Sequence, residues 1–155
     1  MDREAYTKMT PSPPARRNGR FSLRRANRAL VLVRRIVADV VAEHSRMLEL
    51  QEMLELEQRH GPVDYLERVK KVMAVSVKRL RRYLGELDAV GVHIQDCSRG
   101  RVDFPARVAG RDVVFCWELG EDAIAYWHPP GAGFAGRKRI SELVAPRAVA
   151  EAGAP

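Results

Sequence analysis

From Ala26 onward, seam positions return at steps of four and three: Ala26, Leu30, Val33, Val37, Val40, His44, Met47, Gln51 and Leu54. Such a repeat keeps one side of an α-helix in register, so it predicts a long helix with a packed seam and two polar seam members, His44 and Gln51. Ser22 stands at the N-cap position, and Phe21 before it is placed to staple against Ala26. The helix is expected to run to about Arg59. There His60-Gly61-Pro62 stops it, with Gly61 as C-cap and Pro62 unable to extend the ladder. A second seam, Leu66, Val69, Met73, Ser76, Leu80, Tyr83, Leu87 and Val90, predicts a helix from near Asp64 to a C-cap at Gly91. So short a connection makes the two turn back as an antiparallel hairpin. Leu32, Ile36 and Val41 fall off the first seam, and that flank needs cover from the C-terminal block or from another copy of the chain.

After Gly91 the period shortens toward two. Val92–Ile94 reads as a short strand, Cys97–Gly100 as a turn, and Val102–Phe104 as a short extended piece. Asp112–Trp117 and Ala123–His128 read as strands, and Pro129-Pro130 ends the second. The expected class is α+β: a long antiparallel helical hairpin, coiled-coil-like, followed by a small antiparallel β-rich cap. The expected boundaries are a disordered basic arm at 1–20, the hairpin at 21–91, the cap at 92–145 forming one domain with it, and a disordered Ala-, Gly- and Pro-rich tail at 146–155.

Charge sharpens this picture. The chain carries a net +7. Arginines 16, 17, 20, 24, 25, 28, 34 and 35 run without an intervening acid, and Lys78, Arg79, Arg81 and Arg82 lie near the end of the second helix. A hairpin gathers these at its base and leaves Glu43, Glu49, Glu52, Glu55 and Glu57 toward its tip. The simplest reading is two solvated faces; nucleic-acid or other polyanion binding is the alternative. That alternative finds few stacking aromatics in the basic stretch beyond Phe21 and Tyr83. No apolar run has the length of a membrane span, and the N-terminus lacks the order of a secretory signal. A cytoplasmic location is therefore expected, with Cys97 and Cys116 as reduced thiols.

The chemistry concentrates between Val102 and Arg137. Asp103, Glu121 and His128 are candidates for one polar pocket, with Arg137 as an anion clamp and Trp117 and Trp127 as ligand-binding walls. The bland alternative has Glu121 capping a tight turn and pairing with Arg137 while His128 bonds backbone at a strand end. His93, Cys97, Cys116 and His128 are zinc-ligand types but lack paired spacing, so no cofactor is expected and a buried, inert Cys116 is preferred over zinc. Gly131, Gly133 and Gly136 spell a G-x-G-x-x-G, but no βαβ unit surrounds them, so the loop is no dinucleotide site.

The segments FSLRRAN, GRVDFPA, FCWELGE, YWH and GFAGR, in this order, resemble an uncharacterised bacterial family, domain of unknown function 2203. The likeness covers Phe21 to about Ile140 and includes Asp103, Phe104, Cys116, Trp117, Gly120, Glu121, Trp127, His128, Gly136 and Arg137. His93 and Cys97 fall outside the pattern. The resemblance implies a long hairpin followed by a compact Trp-rich segment, and it implies no reaction. The leading expectation is a non-enzymatic interaction or scaffold module that self-associates through its hairpin. A small-molecule or anion site in the cap is second, with hydrolysis its conceivable chemistry, and polyanion binding third.

Overall fold

The computed structural model describes residues 19–144. The arm and tail expected at 1–20 and 146–155 fall outside this range, save for Gly19 and Arg20. Helix α1 spans Leu23–Glu57 and helix α2 spans Val63–Val90, folded back on each other. Ser22 caps α1 as expected, its hydroxyl accepting from the Arg25 amide at 3.2 Å. Phe21 instead reaches the sheet, lying edge-on to Phe104 with ring centroids 5.3 Å apart. At the other end α1 stops at Glu57, two residues before the expected Arg59. Gly61 is not a left-handed cap: its amide donates to the Glu57 carbonyl at 2.7 Å, and a Cβ there would stand 2.8 Å from that oxygen. The glycine serves close approach, and Pro62 becomes the N-cap of α2. Gly91 is the left-handed C-cap of α2, with the Val92 and Gly91 amides returning to Leu87 and Asp88 carbonyls in a Schellman arrangement.

The seam packs as its spacing requires. Ala26, Leu30, Val33, Val37, Val40 and Met47 share one buried core with Leu80 and Leu87, and Val69 and Ser76 of α2 are buried too. His44 and Gln51 stay half-buried; Glu43 beside the seam is the acid that the hairpin buries. Of the off-seam residues, Ile36 is buried, Val41 packs against the core and Leu32 is left exposed.

The cap is a five-stranded antiparallel meander: β1 His93–Asp96, β2 Arg101–Val108, β3 Arg111–Glu118, β4 Tyr126–His128 and β5 Lys138–Arg139, paired in that order. A one-turn helix, α3, follows at Ile140–Val144. Strand β2 runs four residues past the expected Phe104, through Pro105. Proline is tolerated because this stretch lies beyond β1, at the sheet edge. Its carbonyl accepts from the Phe21 amide and Phe21 in turn accepts from Arg107, so the missing N–H falls on the Phe21 side and the ladder to β3 stays whole. Ala109 and Gly110, both at positive φ, close the β2–β3 hairpin as a primed turn.

The strand expected over Ala123–His128 shrinks to its last three residues. The Ile124 amide donates to the Asn27 side chain of α1, and the Ala125 carbonyl accepts from Ile140. That segment docks on α1 and on the start of α3 instead of pairing. Strand β5 was not foreseen, because two exposed cations carry no alternation. The sheet meets the first half of α1 through Gly100, whose missing side chain admits Val37 and Val41, and through Arg34, which donates to the Asp122 carbonyl and lies over Trp117.

Candidate functional site on the outer face of the cap

Strand alternation divides the cap into two faces. Val102, Phe104 and Ala106 of β2, Val113, Phe115 and Trp117 of β3, and Trp127 of β4 are all buried in the core shared with the helices. The register sets the other face as a row across the sheet: His93, Asp103, Cys116, Tyr126, Arg139. His128 belongs to that same outer face one pair along, opposite Val114. An outer sheet face is ordinarily wet, yet Cys116 is 2% and His128 3% exposed. Phe134, in the single 3-10 turn Phe134–Gly136, helps to cover the face. It stacks on the Arg101 guanidinium of β2 at 3.7 Å and on Arg137 at 4.1 Å. Phe134 and Arg101 were not among the expected site residues; strict alternation in β2 was the signal that places Arg101 beside Asp103.

Two polar pairs hold this layer. In the first, His128 Nδ1 lies 2.8 Å from the Pro129 carbonyl. A carbonyl only accepts, so Nδ1 carries the proton and Nε2 is left to face Asp103, 3.5 Å from Oδ1, within ion-pair range though not aligned as a hydrogen bond. Burial pushes the Asp103 carboxyl above its ordinary value, and the neighbouring His128 and His93 only partly oppose it.

In the second, Glu121 Oε1 accepts from Arg137 at 2.7 Å and from the Glu118 amide at 3.1 Å, closing the β3–β4 turn. Arg137 is also 4.1 Å from the Tyr126 ring. Burial disfavours its charge, but the Glu121 bond and charge outweigh that and raise its pKa. Cys116 sits near both pairs; burial pushes its thiol up to about 11, more than Arg137 pulls it down.

Of the six expected residues, Asp103 with His128 and Glu121 with Arg137 are brought to this layer. Trp117 and Trp127 are not; both are buried core residues, and Trp117 Nε1 donates to the Glu121 carbonyl at 3.0 Å. Cys97 packs against the hydrophobic core and forms no disulfide with Cys116. Among the described residues no three His, Cys, Asp or Glu side chains come together to hold a metal ion. Chemically, the layer offers a buried imidazole–carboxyl pair and a thiol kept protonated at neutral pH, which is no nucleophile.

The family model described as an uncharacterized conserved protein (DUF2203) matches residues 20–140. The chain belongs to that family. The match takes in all of the hairpin and the cap through β5, so the DUF2203 fold is the fold described here. No curated protein and no solved structure matches the chain. No helix of this DUF2203 protein is long and apolar enough to cross a membrane among the described residues.

Proposed function

We propose that this DUF2203 protein is a non-enzymatic, cytoplasmic interaction module that self-associates through its helical hairpin. One distribution supports the reading. The eight large hydrophobic side chains exposed among the described residues, from Val31 and Leu32 to Val72 and Val75, all belong to α1 and α2. The cap contacts made by Ile124, Asp122 and Gly100 fall between Asn27 and Val41 of α1, and exposed Leu48, Met53 and Leu56 lie beyond them among the described residues. An exposed apolar helix flank is covered most readily by another helix with a matching pattern, and closed two-fold pairing is the commonest way to supply one.

In this reading the cap's polar pairs stabilise the cap itself. Arg137 is already neutralised by Glu121, so it has no free charge to clamp an anion. The unpaired thiols Cys97 and Cys116 fit a reducing compartment. The test is mass against concentration by light scattering or sedimentation equilibrium. The expected result is a monomer–dimer equilibrium that Met53→Asp with Leu56→Asp shifts to monomer, both side chains being exposed. A monomer at every concentration refutes the reading.

A further inference from the structure

Resting on that reading, we infer that two copies pair antiparallel along α1, tip against base, about a two-fold axis at the middle of the helix. The outward side of α1 carries a second stripe with the spacing of a seam: Arg24, Arg28, Val31, Arg35, Ala38, Ala42, Ser45, Glu49, Glu52 and Leu56. All are exposed, and all but Leu56 lie two residues before a seam position, about 200° around the helix. The stripe therefore faces away from the packed seam.

The spacing of the stripe is the same in both directions. Helix α1 runs Leu23–Glu57, so its midpoint is Val40. Reversal about that point sets Arg28 opposite Glu52, Val31 opposite Glu49, Arg24 opposite Leu56, Arg35 opposite Ser45, and Ala38 opposite Ala42. Ala38 and Ala42 at the centre let two helices approach closely. Arg35 falls one turn from the partner copy's Glu49.

Charge selects the orientation. Arg24, Arg28 and Arg35 make no ion pair with any described residue, and neither do Glu49 and Glu52. Arg24 and Arg28 are like charges one turn apart, which costs helix stability when nothing opposes them. Parallel pairing would set arginine on arginine and glutamate on glutamate. Antiparallel pairing sets Arg28 of each copy against Glu52 of the other, so opposite charges meet on both sides of the axis. A nucleic acid would satisfy the arginines alone and bring phosphates toward Glu49 and Glu52 on the same stripe. The second copy is therefore the better occupant.

The experiment is a charge swap on the full chain, read by sedimentation in low and high salt. Arg28→Glu and Glu52→Arg should each weaken the dimer by about tenfold, because the two-fold axis breaks the pair twice. The double variant R28E/E52R should recover it, and added salt should weaken the wild-type dimer while leaving less to lose in either single variant. Arg28→Cys with Glu52→Cys, on a Cys97→Ser background, should cross-link chains that neither single cysteine links. A dimer indifferent to both single swaps, without that cross-link, overturns the antiparallel arrangement and leaves self-association standing. A monomer throughout removes both. Retention on nucleic acid that R28E abolishes, with no change in mass, also overturns the pairing.

Discussion

Replacing Gly100 with alanine tests the joint between hairpin and cap, on which every placement of the outer face depends. Gly100 closes the Cys97–Gly100 turn with φ +68, in the left-handed region. A Cβ there would stand 2.7 Å from Val37 Cγ1 and 2.9 Å from Leu119 Cβ, with Val41 Cγ2 at 3.1 Å. Two costs follow. An L side chain in that conformation costs about 1 kcal/mol, and forcing a methyl into a packed core costs roughly 1–3 kcal/mol. Together, Gly100→Ala should lose about 3 kcal/mol. The assay is denaturant unfolding followed by helical circular dichroism; the midpoint should fall with an unchanged slope, and Tm by about 10 °C. Gly110→Ala is the control, since Gly110 also has positive φ but nothing within 4 Å of a Cβ. It should lose only the conformational part, about 1 kcal/mol. In a Val37→Ala background the Gly100 effect should shrink, because the nearest obstacle is gone. Equal losses at Gly100 and Gly110 would refute the steric account of how β1–β2 seats on α1.

Two further outcomes are expected. Glu121→Ala strands the half-buried Arg137 guanidinium and the Glu118 amide, and should cost about 2 kcal/mol in the same unfolding assay; Arg137→Met added to it should restore part of that by removing the orphaned charge. Asp103→Asn should alter pH dependence. Because burial raises the Asp103 carboxyl, the native state holds its proton more tightly than the unfolded chain, so wild-type stability should fall relative to Asp103→Asn as pH climbs from about 4 through the raised value and then level off. Unfolding curves for the two proteins that stay parallel across that range would contradict the assignment.

Both helices, their antiparallel return and the α+β class were legible in the chain because helical periodicity is a local property. A step of 3.5 needs no knowledge of what the seam meets, and the residues at Val33, Val37, Leu80 and Leu87 are buried where that step places them. The exposed palindrome of α1 is equally a matter of spacing. Strand limits were less legible. Pro105 argues against a strand locally, and only Phe21, brought from before α1, makes an edge on which its absent N–H is harmless.

The candidate site divides along the same line. That Asp103, Glu121, His128 and Arg137 are the cap's polar candidates was visible in residue type. Which of them meet was decided by register: Asp103 pairs with Cys116 across β2–β3, and Cys116 with Tyr126 across β3–β4, and this fixes one face for the polar row and the other for Trp117 and Trp127. A strand's two faces differ by one residue, and composition alone cannot choose between them. Part of the layer over this face came from farther still, with Phe134 folding back onto Arg101 across more than thirty positions of chain. Local spacing thus determined the rods and their charge, and long-range pairing decided which side of the sheet is dry.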